Sequence, residues 1–217
     1  MALSRESLVS GLIRGGFLLT PAIIAAFREI DRRDFVPPEF SALAYEDRPL
    51  PIGLEQTISQ PLTVAFMLEL LQPRPGDKVL EIGAGSGWQT ALLCHIVGPS
   101  GKVFAIERIP ELKEMAERNA DKYGFIREGI ARISLGDGAK GLLAEAPFRR
   151  IIAAAAGDHV RVAWKEQLKV HGKIVAPVQN TIEVWEKTGA NDFNCSEYHG
   201  FSFVPLISDE GGNGDRG

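Results

Sequence analysis

Short apolar runs alternate with segments of helical spacing from residue 78 to residue 178. We interpret 78–83, 102–106, 131–135, 150–155 and 172–178 as strands, and 87–97, 110–123, 139–144 and 161–169 as the intervening helices. Regular alternation of this kind favours a parallel sheet with helices on both faces. Two later strand-like runs, 181–188 and 196–207, are joined by the turn-rich GANDFN and predict an antiparallel pair that closes the sheet. We therefore expect an α/β protein with a seven-stranded, mostly parallel sheet.

The residues before this region have a different pattern. Two helices are predicted within residues 3–31, the second with Thr20 as its N-cap and Pro21 as its first residue. Residues 32–56 are rich in proline and predict a long irregular loop that packs through its aromatic and aliphatic side chains, and a helix follows at 60–72. The expected parts of one compact domain are the N-terminal helices with the loop packed on the core (1–76), the core of alternating strands and helices (77–207) and a disordered tail (208–217).

Composition limits the possible functions. The net charge of −4 and the lack of long basic runs argue against a nucleic-acid partner. No apolar run reaches the ~18 residues of a membrane span, and Arg5, Glu6 and Arg14 interrupt any signal peptide. Cys94 and Cys195 lie far apart without a CxxC, which predicts a reducing, cytoplasmic setting. The four histidines have no metal-ligand spacing, so we expect no metal.

The stretch VLEIGAGSGWQT, residues 79–90, carries the strongest chemical signal. Gly83, Gly85 and Gly87 stand between a buried strand and a helix, where a ligand can approach backbone N–H groups closely. A dinucleotide fingerprint would read G-x-G-x-x-G. The spacing here is G-x-G-x-G, with Glu81 two residues before the first glycine. This pattern suits a ligand with a cationic amino-acid end, such as S-adenosylmethionine, and the alternative is an ordinary glycine-rich turn.

Acidic residues follow the next two strands. Glu107 ends the second strand and can accept hydrogen bonds from ribose hydroxyls, and Asp137 follows the third strand and can accept one from the adenine amine. Either acid alone is more often a solvated cap, but three such features at consecutive strand ends together favour an adenosyl cofactor. The predicted cofactor-binding residues are Glu81, Gly83, Ala84, Gly85, Ser86, Glu107, Arg108, Gly136, Asp137 and Gly138.

A second motif, PIGLEQTISQPLT at residues 51–63, precedes the core. In an extended segment Thr57 and Ser59 would point to the same side, one on each side of Ile58. Considered alone, the motif is explained by Ser59 or Gln60 capping the following helix.

The motif does not stand alone. AYEDRPLPIGLEQTISQP, followed by LEIGAGSGWQTALL, GDG, APF, QLKVHGKIVAPV and FVPL, resembles the protein-L-isoaspartate O-methyltransferases. The resemblance extends from about Asp34 to Ile207. It implies a class I S-adenosylmethionine-dependent methyltransferase (Rossmann-like) fold with an N-terminal helical extension and modified C-terminal strands.

The implied activity is protein repair. S-adenosylmethionine would esterify the abnormal carboxylate of isoaspartyl residues in damaged proteins or peptides, leaving S-adenosylhomocysteine. The ester would then close to a succinimide that reopens partly to aspartate. By the resemblance, Ser59 is the catalytic residue, and Thr57, Ile58 and Gln60 bind the substrate. We expect a monomer without nucleic-acid or membrane partners.

The acceptor side departs from the family pattern. Glu55 replaces a usual glycine, Leu62 an aromatic residue or histidine, Arg149 an acid and Ala154 a threonine, and the loop after Val178 is short. Two other hypotheses therefore stay open: a methyltransferase of the same lineage with a different carboxylate or hydroxyl acceptor, and an S-adenosylmethionine-binding module without transfer activity. The intact QTISQP motif argues against the second.

Overall fold

The structure is a computed structural model that describes residues 3–207. The tail predicted at 208–217 lies outside the described residues. The helices are α1 (Arg5–Arg14), α2 (Pro21–Glu29), α3 (Pro61–Leu71), α4 (Trp88–Val97), α5 (Pro110–Asp121) and α6 (Val162–Glu166). The strands are β1 (Leu50–Gly53), β2 (Gln56–Ile58), β3 (Lys78–Ile82), β4 (Lys102–Glu107), β5 (Ala131–Leu135), β6 (Phe148–Ala153), β7 (Leu168–Val178), β8 (Thr181–Lys187) and β9 (Phe193–His199).

The seven strands from β3 to β9 form one sheet in the order β5-β4-β3-β6-β7-β8-β9. The first five of these are mutually parallel, β8 is antiparallel to β7, and β9 is antiparallel to β8. The predicted mostly parallel sheet with a closing antiparallel pair is therefore confirmed. Each parallel crossover carries a helix or helical turns, as parallel neighbours require.

Alternate residues of the central strands face opposite sides of the sheet. Val79 and Val103 pack into a core that also contains residues of α1, α2, α3 and α4. Leu80 and Phe104 point to the other side, where Trp164 of α6 packs. Because both faces are covered, the central strands are apolar nearly throughout, as is typical of parallel sheets. Glu81 lies on the same face as Val79 and is the exception within β3.

The N-terminal helices are part of the same core. Val9, Leu12 and Phe27 are buried together with residues of α3 and α4. Thr20 precedes α2 as predicted, but its hydroxyl does not cap the helix. It donates instead to Glu69 Oε2 at 2.6 Å and so joins the start of α2 to α3. No helix between residues 3 and 207 is long and apolar enough to cross a membrane.

The prediction of an irregular loop at 32–56 was wrong. The segment contains two 3-10 turns, Arg32–Phe35 and Pro38–Leu43, followed by the antiparallel hairpin of β1 and β2. The hairpin turn is made by Leu54 and Glu55, with φ of 52° and 59°. Such turns usually carry Asn-Gly or Asp-Gly, so the sequence gives no hairpin signal there. The predicted packing of the segment is confirmed by the buried residues Phe35, Tyr45, Leu50 and Ile52.

Three predicted boundaries also need correction. The helix expected at 161–169 ends at Glu166, and β7 already begins at Leu168, which pairs with Phe148 of β6 before an irregularity in the register. The helix expected at 139–144 is replaced by two short 3-10 turns. The strand expected at 196–207 runs over Phe193–His199. Beyond it, the chain leaves the edge of the sheet and crosses to the ends of the parallel strands.

Candidate active site

A cavity of about 410 Å³ lies at the carboxyl ends of the parallel strands. This is the edge at which open parallel sheets bind ligands. Its lining includes residues 56–60, 82–86, 106–109, 154–155 and 202–207, together with Pro49, Trp88, Gly136 and Gly138. The QTISQP segment at 56–61, called the acceptor motif below, is separated from the glycine turn at 83–87 by a whole helix and a strand in the sequence. Residues of both segments therefore face the same space.

The turn between β3 and α4 depends on its glycines. Gly83, Gly85 and Gly87 have φ of 87°, 54° and 84°, in the left-handed region that other residues rarely adopt. A Cβ on Gly87 would lie 2.8 Å from the carbonyl oxygen of Ala116, so α5 packs directly against the turn. Backbone atoms form much of this wall, as the glycine spacing predicts.

Glu107 at the end of β4 holds the turn from the neighbouring strand. The residue is 6% exposed, and its carboxylate accepts hydrogen bonds from the backbone N–H groups of Gly85 at 2.9 Å, Arg108 at 2.8 Å and Ile109 at 3.0 Å. A carboxylate has about four acceptor positions, so capacity remains for a ligand hydroxyl. Glu107 lines the cavity, and its orientation is fixed before any ligand binds.

Glu81 lies beneath the turn and is not among the lining residues. Its carboxyl group is fully buried on the face covered by α4, where it accepts hydrogen bonds from Thr90 Oγ1 at 2.5 Å and Gln89 Nε2 at 3.1 Å. Burial raises the pKa of Glu81 to about 8, although both hydrogen bonds lower it. A direct contact between Glu81 and the cofactor stays a prediction. Gln89, its hydrogen-bond partner, does line the cavity.

Asp137 lies shortly after β5, at the position that the sequence predicts. Its neighbours Gly136 and Gly138 line the cavity, whereas Asp137 itself does not. Its Oδ1 accepts a hydrogen bond from the backbone N–H of Ala139 at 2.9 Å and caps a 3-10 turn. A Cβ on Gly138 would lie 2.5 Å from Ile82 Cγ2, so this position requires glycine. The role of Asp137 toward adenine stays a prediction.

The acceptor motif begins in β2 and ends at the first residue of α3. Thr57 is exposed, Ile58 is buried and Ser59 is half-buried, which is the alternation of an extended segment. The Ser59 hydroxyl has no hydrogen-bond partner among residues 3–207. Neither Ser59 nor Gln60 caps α3 through its side chain, so the capping interpretation was wrong. Asp47 does so instead, because its Oδ1 accepts from the N–H of Leu62 at 2.8 Å.

The departures from the family pattern are spread over the molecule. Glu55 is exposed at the tip of the β1–β2 hairpin and is not among the lining residues. Arg149 lies near the start of β6, at the end of the strand opposite the cavity. Of the four substituted side chains, only Ala154 lines the cavity. The short connection after Val178 is a tight turn of two residues between β7 and β8.

Residues 202–207 form one wall of the cavity, although the sequence predicted that they belong to the last strand of the sheet. Ala156, after β6, donates its N–H to the carbonyl of Val204 at 2.8 Å and accepts from the N–H of Leu206 at 2.7 Å. Arg108 Nη1 donates to the carbonyl of Ile207 at 3.2 Å. The FVPL motif thus lies at the cavity, with Pro205 in an isolated bridge to Ala156.

Arg32 is a buried residue at the site that sequence reasoning missed. It is 2% exposed and lies under the acceptor motif, where its guanidinium donates to the carbonyl of Ser59 at 3.0 Å. The neighbouring Arg33 is exposed. Nothing in the sequence DRRD distinguishes the two arginines, because their burial depends on the path of the following loop.

Among the described residues, no cluster of three or more His, Cys, Asp or Glu side chains is arranged to hold a metal ion. The parallel sheet with its C-terminal antiparallel pair, the glycine turn and the acidic residue that ends β4 together define a class I methyltransferase fold. Two solved structures share it. One is titled as a protein-L-isoaspartate O-methyltransferase and has a TM-score of 0.85 at 27% identity, over 95% of this chain and 67% of that chain. The other, from Plasmodium falciparum in complex with S-adenosyl-L-homocysteine, has a TM-score of 0.84 at 19% identity, over 94% and 98%.

Comparison of the sequence with known proteins identifies the family within this fold class. Residues 3–211 match the family model described as protein-L-isoaspartate(D-aspartate) O-methyltransferase. A protein-L-isoaspartate O-methyltransferase from Methanopyrus kandleri is 44% identical over 96% of this chain and 93% of its own length. One from Aeropyrum pernix is 43% identical over 96% and 81%. The chain belongs to the protein-L-isoaspartate(D-aspartate) O-methyltransferase family.

Proposed function

We propose that this protein transfers a methyl group from S-adenosylmethionine to the free carboxylate of L-isoaspartyl residues in damaged proteins. One observation carries the proposal: the QTISQ segment and the glycine turn line a single cavity. A methyl acceptor and a methyl donor bound at these two walls would meet there. The names of relatives that are 43–44% identical support the same activity.

The chain's own residues fit the cofactor. The backbone at 83–86 lets a ligand approach closely, and the fixed carboxylate of Glu107 has capacity left for ribose hydroxyls. When bound, S-adenosylmethionine supplies a methyl group on a sulfonium sulfur, which leaves as the neutral thioether of S-adenosylhomocysteine. We propose further cofactor contacts from Ala84, Ser86, Arg108, Gly136 and Gly138, with Glu81 and Asp137 completing the set.

The acceptor wall has to align its substrate and does not have to remove a proton. A carboxyl group has a reference pKa of about 4, so the isoaspartyl carboxylate is already ionised at neutral pH. We propose that the hydroxyls of Thr57 and Ser59 hold this carboxylate in line with the methyl group, while Ile58 and Gln60 shape the space beside it. Correct alignment of two reactants is by itself a large source of acceleration.

The setting of the reaction is also a proposal. We infer that the protein acts as a monomer on isoaspartyl proteins or peptides, without nucleic-acid or membrane partners, in the cytoplasm. The net charge of −4 supports a partner that is not a polyanion. Cys94 and Cys195 are both free thiols, which suits a reducing compartment.

The test is methyl transfer from labelled S-adenosylmethionine to two matched peptides, one with isoaspartate and one with aspartate. We expect transfer to the isoaspartyl peptide alone. No transfer, with cofactor binding measured on the same sample, would contradict the proposal and favour a different acceptor or a binding module. Hydroxyl-containing acceptors and other free carboxylates would then be the next substrates to assay.

A further inference from the structure

Arg32 is a buried cation that binds no carboxylate. Its Nη1 donates to the backbone carbonyls of Ala44 at 2.8 Å and Glu46 at 3.3 Å, and its Nη2 donates to those of Arg48 at 2.9 Å and Ser59 at 3.0 Å. No ion pair joins it to an acidic residue within the part of the chain that the structure describes. One planar side chain therefore gathers four carbonyls from two separate stretches of backbone.

The same guanidinium also touches the cofactor side. Its Cζ lies 5.3 Å from the ring centroid of Trp88, within the range of a cation–π contact. Trp88 is the first residue of α4, directly after Gly87, and is 3% exposed. Trp88 and Ser59 both line the cavity. Arg32 thus bridges the acceptor motif and the residue that follows the glycine turn.

The shape of the guanidinium explains why arginine stands here. It is a planar fork with five donors in fixed directions, whereas the ammonium of lysine is a point charge at the end of a flexible stem. Lysine could not reach carbonyls that lie on different sides of the fork. Burial lowers the pKa of Arg32 to about 10, so the group stays charged at neutral pH.

The hydrogen bonds of Arg32 are directed at one wall of the cavity. Desolvating a buried charge is costly, and here the cost is offset by hydrogen bonds to four backbone carbonyls, which an apolar side chain would leave without a donor. The contacts of Arg32 are concentrated on the segment before Ser59 and on Ser59 itself. The glycine turn has separate supports, since Gly83 donates to the carbonyl of Ile106 and Gly85 donates to Glu107.

We propose that Arg32 is a positioning residue for methyl transfer, which fixes the backbone of Ser59 against Trp88 and so sets the distance between acceptor and cofactor. The inference rests on the proposed function. It predicts that substitution of Arg32 lowers turnover of the isoaspartyl peptide while the affinity for S-adenosylmethionine is kept, because the acceptor wall loses its anchor whereas the glycine turn keeps its hydrogen bonds to Ile106 and Glu107.

The experiment compares Arg32→Lys and Arg32→Met with the matched control Arg33→Met. Arg33 is the adjacent, exposed arginine, so its substitution makes the same change in net charge. Cofactor affinity, thermal stability, kcat and KM for the isoaspartyl peptide are measured for each. Since small misplacements of reacting groups can cost about 10²-fold, we expect kcat/KM to fall by about that factor in both Arg32 variants. Cofactor affinity should change less than about threefold, and Arg33→Met should resemble the wild type.

A third variant provides a readout that a structural role would not give. In Arg32→Ala, added methylguanidinium should restore turnover with saturation, whereas methylammonium at the same concentration should not. Restored turnover at a temperature at which the variant is already fully folded without the additive supports positioning. Folded Arg32 variants with wild-type kcat, or losses that simply follow the unfolded fraction, would overturn the inference.

Wild-type protein gives an independent measurement if the variants do not fold. With 15N-labelled arginine, the Nη signals of Arg32 should shift when the isoaspartyl peptide binds, and those of Arg33 should not. Unshifted Arg32 signals at saturating peptide would refute the inference. Wild-type protein that fails to methylate the isoaspartyl peptide would instead refute the proposed function, so the two failures are distinguishable.

Discussion

The glycine turn at 83–87 and the acceptor motif at 56–61 face the same cavity but keep their shapes by different means. The turn is built locally: three glycines adopt left-handed backbone, and the flanking strand and helix are contiguous with them. The acceptor motif is held by groups that are remote in sequence, above all Arg32 and Asp47. Substitutions near the motif can therefore be tolerated as long as these remote contacts remain.

On the cofactor side, the buried carboxyl group of Glu81 should make the free energy of unfolding depend on pH. Its pKa is about 8 in the folded protein and near 4.5 in the unfolded chain. Between these values the folded state keeps a proton that the unfolded state has lost, so the free energy of unfolding falls as pH rises. The fall is about 1.4 kcal/mol per pH unit, which accumulates to several kcal/mol by pH 8.

Glu81→Gln provides the measurement, because glutamine keeps the shape and cannot ionise. Urea unfolding of both proteins at pH 5, 6, 7 and 8 should show the wild type losing stability relative to the variant at each step. A difference that is constant with pH would mean that Glu81 is ionised throughout and that its site is more polar than its burial implies.

The next effect concerns the support of the turn from the neighbouring strand. Glu107→Ala removes the acceptor of the Gly85 N–H and leaves that donor without its partner. Hydrogen bonds to charged groups contribute about 1.5–3 kcal/mol, so affinity for S-adenosylmethionine should fall roughly 10- to 100-fold in calorimetric titration. Glu107→Gln, which keeps one carbonyl acceptor, should lose less. Unchanged affinity in Glu107→Ala would remove Glu107 from the cofactor site.

On the acceptor side, the expected effect is on turnover and not on cofactor binding. Ser59→Ala should lower kcat for the isoaspartyl peptide about fivefold, the value of one hydrogen bond of roughly 1 kcal/mol. Calorimetric affinity for S-adenosylmethionine should be unchanged. If both quantities fell equally, the separation of the cavity into two independently held walls would be wrong.

The smallest effect is expected at the tip of the β1–β2 hairpin. Glu55 has φ of 59°, a backbone conformation that destabilises a residue with a side chain by about 1–2 kcal/mol. Glycine would remove this strain, but its greater conformational entropy in the unfolded chain would offset part of the gain in stability. Glu55→Gly should therefore stabilise the protein by about 0.5–1 kcal/mol in urea unfolding. Since Glu55 does not line the cavity, kcat/KM for the isoaspartyl peptide should stay within twofold. A large increase would mean that the carboxylate of Glu55 repels the anionic substrate.

The parts that sequence reasoning predicted well are those with a local signal. The strands of the main sheet were recognisable because both of their faces are buried and their residues are therefore continuously apolar. The glycine turn was recognisable because its positive φ values demand glycine at these positions. Glu107 followed from the strand end at which it lies.

The parts that sequence reasoning missed have local residue patterns that are typical of a different structure. Leu54 and Glu55 form a hairpin turn without the residues that such turns favour. Residues 202–207 alternate like a strand, yet within residues 3–207 their backbone pairs only with Ala156 after β6, and they form a wall of the cavity. Ser59 and Gln60 have the residue types of a helix cap, but Asp47 occupies that role from a distance.

The sequence by itself determined the layered α/β architecture and the cofactor turn, because periodicity and glycine placement act over a few neighbouring residues. Only the tertiary structure decided which of two adjacent arginines is buried beneath Ser59, and that the chain after His199 returns to the cavity. Burial of a charge and closure of a cavity depend on contacts between segments far apart in the chain. Their energies have no counterpart in any local pattern of residues.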